Sequence, residues 1–149
     1  MSESRSGAAL ERDNLALIDR YFEAVAAGDP EIGALFTDDV VWRTPQSSPL
    51  PGPWVGRAAV LAGMGSGIGL YQAGSLDIRP VARAASADRV FVEMTLRATT
   101  AAGAPYRNQY VFVFTIRDDR IAEVHEHLDT HYAQRRLFDP AGRASPLDE

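Results

Sequence analysis

Residues 108–130 read NQYVFVFTIRDDRIAEVHEHLDT. β-Branched and aromatic residues crowd both sides of Asp118-Asp119, which predicts two strands, 106–117 and 120–129, joined by a tight acidic turn. Alternate side chains of a strand share a face. Asn108, Tyr110, Phe112 and Phe114 therefore point one way on the first strand. On the second, Ala122, Val124, Glu126 and Leu128 share one face, and Glu123, His125, His127 and Asp129 share the other. Glu126 thus stands among apolar neighbours. Such surroundings disfavour the charged carboxylate, raise its pKa toward neutrality and suit it to acid/base work, typically worth ~10²–10⁴ in rate.

Upstream of this hairpin, 76–81 and 89–99 also read as strands, with turns at Ala85-Ser86-Ala87-Asp88 and Ala101-Ala102-Gly103-Ala104. The first half of the chain is different. Leu10, Leu15, Leu17, Ile18, Tyr21, Phe22 and Val25 recur close to a 3.6-residue period, predicting an amphipathic helix over 10–27 that stops at Gly28. Asp29-Pro30-Glu31 then offers a cap, a proline and an acid, opening a short helix through Ile32, Leu35 and Phe36 that Asp38-Asp39 breaks. Val40-Val41-Trp42 suits a short strand. In 44–56, prolines at 45, 49, 51 and 53 with two glycines argue against regular structure and predict an ordered loop or lid. A third helix is expected over 57–64, interrupted by Gly65, Gly67 and Gly69. Helices followed by a run of strands define an α+β domain, an antiparallel meander with helices on one face. The expected organisation is a flexible tail over 1–9, one domain over 10–138 that ends in a helical turn or two, and a C-terminal tail over 139–149.

Composition narrows the chemistry. A chain of 149 residues is of a size to form one domain with its own core. It has no Cys, which excludes disulfides, thiolate nucleophiles and Cys-ligated metals, and no Lys among its 15 basic residues, which excludes Schiff bases and a Walker lysine. A formal charge of −5 without any basic block argues against nucleic acid or an anionic membrane as partner. No secretory leader and no long apolar run can be read, so a cytoplasmic location is the expectation.

The element order, with Arg20-Tyr21-Phe22, Gly28-Asp29, Leu35-Phe36-Thr37-Asp38-Asp39-Val40 and the closing hairpin, resembles the SnoaL-like branch of the NTF2-like superfamily over about residues 10–138. Ketosteroid isomerase-related proteins, limonene-epoxide hydrolases and polyketide cyclases belong to that group. The resemblance implies a cone-shaped barrel, a curved sheet wrapped on a long helix around an apolar pocket, commonly in a homodimer and without metal or other cofactor. It also implies roles. Glu126 falls where the epoxide hydrolases and cyclases place an inward carboxylate on the last strand, and Tyr21 matches the first-helix tyrosine that donates to the substrate oxyanion in ketosteroid isomerase. Thr44 stands where the isomerase carries its general-base aspartate, and Tyr110, or Asn108, where it carries a protonated aspartate. The hydrolases' Arg-x-Asp pair is missing, since the matching region reads Val92-Glu93-Met94-Thr95-Leu96-Arg97.

The expected catalytic residues are therefore Glu126 and Tyr21, and the expected substrate-binding residues Trp42, Asn108, Tyr110, Phe112, Val124 and Leu128. Plainer readings stand beside them: a tyrosine on a helix's apolar stripe also serves as core, and Asn108 also serves to satisfy backbone near a hairpin. His125, His127 and His131 with Asp129 raise zinc as an alternative, against which the resemblance weighs. The glycines from Gly63 to Gly69 lack the spacing and the preceding strand of a nucleotide loop and read as a flexible segment near the pocket entrance. The function expected is acid/base catalysis on a small hydrophobic carbonyl, enol or epoxide, as an isomerase, cyclase or epoxide hydrolase-like enzyme. The alternative is a binding or dimeric accessory protein that does no chemistry.

Overall fold

The structure, a computed structural model, describes residues 5–50 and 52–139. Helix α1 spans Gly7–Ala27 and buries Asn14, Leu17, Ile18 and Tyr21. It starts earlier than its apolar period suggests, because the Ser6 hydroxyl accepts the Ala9 N–H at 3.3 Å and caps it. Residues 7–9, expected in a tail, are its first turn; residues 1–4 of that tail lie outside the described residues. Gly28, at φ 61°, ends the helix in the left-handed conformation, and the N–H groups of Gly28 and Asp29 turn back to Val25 and Ala24.

Asp29 Oδ1 accepts the Glu31 N–H at 2.9 Å and introduces a single 3-10 turn, Ile32–Leu35. Strand β1, Phe36–Arg43, follows at once. Asp38 and Asp39, expected to break the chain before a strand, lie inside it. They occupy the shift in register between Phe36 and Val41, where the strand is irregular, and form ion pairs with Arg57 and Arg117. Residues 44–56 also depart from expectation in part. Trp54–Val55 forms a short strand, β2, antiparallel to β1 with Trp42 opposite Trp54. Helix α2, Arg57–Ile68, continues through Gly63, Gly65 and Gly67 rather than fraying there. At Gly63 the need is spatial: a Cβ would lie 2.2 Å from the Trp54 ring.

Strands β3 (Asp77–Ser86), β4 (Arg89–Thr99), β5 (Pro105–Arg117) and β6 (Arg120–Leu128) complete a six-stranded sheet of order β2-β1-β6-β5-β4-β3. All neighbours are antiparallel except β1 and β6. The sheet is curved and unclosed, with β3 as an edge. β3 runs further than its expected end at 81, and Pro80, which has no N–H to give, sits at its register shift. The chain closes with a short helix α3, Thr130–Ala133, capped by Asp129, and a π-helical turn, Gln134–Phe138. The expected C-terminal tail lies outside the described residues beyond 139.

Alternation shapes the core. Val90, Val92, Met94 and Leu96 of β4 and Tyr106, Asn108, Tyr110, Phe112, Phe114 and Ile116 of β5 all face the helices and are buried. β6 obeys the same rule only from Val124 onward. A register shift at Thr115/Ile116 sets Ile121 opposite Ile116 and buries it fully, although strict alternation assigns Ile121 to the outer face.

Candidate functional site

Between α1, α2, the inner face of the sheet and the closing turn lies a cavity of about 140 Å³. Tyr21, Phe22 and Val25 line it from α1, Trp42 from β1, Met94 and Leu96 from β4, Tyr110 and Phe112 from β5, and Glu126 and Leu128 from β6. The segment after β1 contributes Pro45, Ser47, Ser48, Pro49 and Leu50 to its lining, and α2 contributes Gly63, Met64, Gly67 and Ile68. The glycine-rich stretch thus borders the cavity as helix, not as a flexible segment. Glu126 is the only charged side chain on the described wall.

Glu126 stands directly opposite Phe112 in the β5–β6 ladder. Trp42, opposite Val124 across the parallel β1–β6 pair, donates its indole N–H to Glu126 Oε2 at 3.0 Å. The indole is held in turn, edge-on to Phe112 at 5.4 Å and beside Trp54 at 6.1 Å between ring centres. Burial pushes the Glu126 carboxyl above the usual carboxylate range, and the Trp42 hydrogen bond opposes that shift. Among the described residues Trp42 is its only hydrogen-bond partner. The carboxyl is thus desolvated by the walls yet open to the cavity.

Tyr21 packs edge-on to Phe114 at 5.4 Å and to Phe36 at 6.0 Å. Burial, reinforced by the charge of Glu126, pushes its phenol far above its ordinary value and keeps it a donor. No hydrogen bond to its hydroxyl is found among the described residues. Tyr110 also lines the cavity, and its hydroxyl lies 3.0 Å from that of Tyr106.

The expected site residues divide. Glu126, Tyr21, Trp42, Tyr110, Phe112 and Leu128 converge on the cavity. Asn108 and Val124 do not. Val124 is fully buried in the sheet core, and Asn108, 1% exposed, is engaged by Tyr106, Gln109 and Asp129. Thr44 borders a separate surface cleft, and Glu93 faces outward from β4, so neither brings a second acid to Glu126. Sequence reasoning missed Trp54, Tyr71 and the Trp42–Glu126 bond. Tyr71 carried no periodic signal, since it follows α2 and joins the sheet through one isolated bridge to Thr100.

On the outer face the His125 and His127 rings lie 4.2 Å apart between centres, tilted by 38°. Burial and the neighbouring His127 and Arg43 hold His125 below the usual histidine value, with Glu123 opposing. Among the described residues no group of three or more His, Cys, Asp or Glu side chains is placed to hold a metal ion. No helix there is long and apolar enough to cross a membrane.

A helix-wrapped, curved α+β sheet around an apolar cavity with one inward carboxyl defines a class of small cavity-bearing domains. The chain matches the SnoaL-like domain family over residues 18–124, and so belongs to that family within the NTF2-like superfamily. Among solved structures it is similar to an NTF2-like protein of unknown function from Burkholderia pseudomallei, with 24% identity, TM-score 0.76, and 85% of this chain and 98% of that one covered. It is also similar to a protein from Jannaschia sp. described as a candidate SnoaL-like polyketide cyclase, at 15% identity, TM-score 0.77, and 93% and 99% coverage. TerC, co-crystallised with polyporic acid, aligns at 22% identity and TM-score 0.75, over 84% of this chain and 98% of that one. These likenesses establish the fold. A comparison with curated proteins finds no match.

Proposed function

We propose that the protein is a cofactor-free acid/base enzyme acting on a small hydrophobic substrate that bears a carbonyl, enol or epoxide. The observation that carries this reading is the single carboxyl, Glu126, on a cavity wall that is otherwise uncharged among the described residues and largely apolar. Glu126 accepts or delivers the substrate proton; Trp42 orients it. Tyr21 and Tyr110 donate hydrogen bonds to the oxygen on which charge develops. Isomerisation and intramolecular cyclisation need only a group that takes a proton and returns it and donors for the charged oxygen; hydration needs in addition a water molecule as co-substrate. Similarity to described polyketide cyclases supports the cyclase branch of that set.

The test is turnover of a panel of epoxides, enones, lactones and polyketide-like compounds by wild type and Glu126→Gln, read by mass spectrometry. The expected result is conversion by wild type and a loss of ~10²–10⁴ in rate in the variant, which still binds the compound. The second reading, a binding protein without chemistry, is favoured by one observation: neither Thr44 nor the β4 segment provides the second acid that related isomerases and hydrolases use. It predicts that ligands leave wild type and variant alike, unchanged.

A further inference from the structure

Positions 60, 63, 64 and 67 of α2 follow the helical period and share one face. That face turns to the body of the protein: Val60 and Gly63 are buried, Met64 and Gly67 half-buried, while Ala62, Gly65 and Ser66 on the other side are exposed. Gly63 and Gly67 thus leave the inward face without a side chain at two places. At Gly63 the protein fills the place itself, since a Cβ there would lie 2.2–2.5 Å from atoms of the Trp54 indole. Gly67 lies about 6 Å further along the axis, at 1.5 Å per residue. There a Cβ would meet no atom within 4 Å.

The unfilled notch opens on the cavity, because Gly67 is part of the lining that also carries Glu126 and Tyr21. Neither backbone nor crowding asks for glycine at 67. Its φ is not among the positive ones, so any L residue fits its helical conformation, and nothing lies where a side chain would go. A glycine in a helix even lowers its stability relative to alanine. What glycine provides here is room, with the helix backbone itself as the wall. Trp54 shows which chemistry such a wall takes: a planar apolar ring resting where the side chain is missing. The cavity also holds polar groups without protein partners. Tyr21 is 3% exposed with no hydrogen bond to its hydroxyl among the described residues, and Glu126 has only Trp42.

We propose that Gly67 is a specificity-determining residue on the α2 wall of the cavity: the notch left by its missing side chain accepts a planar apolar ring of the ligand, which packs on the helix backbone as Trp54 does at Gly63. Met64 and Ile68, both on the lining, flank the notch with apolar side chains. A side chain at 67 occupies that volume, so residue 67 sets the largest ring system the cavity admits. This rests on the reading of the cavity as the site, but not on Glu126 moving a proton.

The test uses 2-naphthol and phenol, which share a hydroxyl and differ by one fused ring. Their dissociation constants are measured by NMR titration on wild type, Gly67→Ala, Gly67→Leu and Gly65→Leu, the last at a position equally open but exposed and off the cavity lining. The expected result is that Gly67→Leu weakens 2-naphthol by about tenfold or more and Gly67→Ala by about threefold, with phenol changing by less than about threefold. Gly65→Leu should leave both probes within about twofold. In wild type, nuclear Overhauser contacts should join ring protons of bound 2-naphthol to the Gly67 Hα, and the Tm of Gly67→Ala should lie at or above that of wild type. Equal weakening of both probes by Gly67→Leu, or a matching loss in Gly65→Leu, is what a merely structural role gives, and overturns the proposal. So does a lower Tm in Gly67→Ala, which means that atoms already fill the notch, or failure of 2-naphthol to bind wild type. Glu126→Gln separates the two ideas. If it keeps full turnover while Gly67→Leu still excludes 2-naphthol, the acid/base reading fails and the notch stands; if turnover is lost but Gly67→Leu binds 2-naphthol as wild type does, the notch fails alone.

Discussion

Trp42 gives Glu126 one of the hydrogen bonds that water gives an exposed carboxylate, and gives it only one. The carboxyl is thus oriented but incompletely solvated, which is the state an acid/base group needs. The sign of the stability effect follows. A carboxyl whose folded pKa lies above its unfolded value binds more protons folded than unfolded, so its contribution becomes unfavourable as pH rises through that range. Glu126→Gln is therefore expected to stabilise the fold at pH 7–8, by something on the order of 1 kcal/mol or a few degrees in Tm. The gain should vanish below the ordinary glutamate value of about 4.3. Trp42→Phe should do the opposite, costing about 1–3 kcal/mol at neutral pH and less in acid, because it strands the carboxylate. Thermal unfolding of the three proteins from pH 3.5 to 8 checks both; pH-independent differences would contradict the account.

At the scale of elements, α2 holds two glycines with opposite meanings. Gly63 lies under the Trp54 ring with no room for a methyl, so Gly63→Ala is expected to cost about 1–3 kcal/mol by overpacking and to displace Trp54, which lines the cavity. Gly65 has open space around its missing Cβ, and Gly65→Ala is expected to stabilise by about 0.5–1 kcal/mol. Denaturant unfolding of both variants measures the contrast. Much of this level was legible in the sequence: β4 and β5 alternate without interruption, and their expected ends match or nearly match the observed ones. What escaped has physical reasons. The glycines of α2 carry the composition of a break, and only the neighbouring Trp54 explains why Gly63 is one. Ile121 escaped because the irregular pairing beside it changes the parity that alternation assumes. The Trp42–Glu126 bond joins residues 84 apart through a parallel pairing, and no local pattern encodes a register across that distance. Glu126 itself was legible because it is a lone acid among apolar residues on one strand face.

At the scale of the whole molecule, the helices cover the inner face of the sheet, and among the described residues no helix packs on the outer face. There Phe91 and Val111 are 39% and 40% exposed, and the ladder sets Val111 beside His127 and Val113 beside both Phe91 and His125. A homodimer through this face is the expected assembly. Sedimentation should give a mass near twice 16.2 kDa for wild type and a monomer for Val111→Glu, whereas a wild-type monomer at micromolar concentration would count against it. On the inner face one carboxyl, Glu126, is held by one indole in an apolar cavity, and the proposed proton exchange rests on that carboxyl being incompletely solvated. The most direct measurement is a carbon-detected NMR titration of the glutamate side-chain carboxyls, with Glu126 assigned by its absence in Glu126→Gln. Glu126 is expected to titrate above the ordinary glutamate value of about 4.3. A midpoint at or below that value would mean that the carboxylate is fully solvated, the opposite of a carboxyl desolvated by the cavity walls.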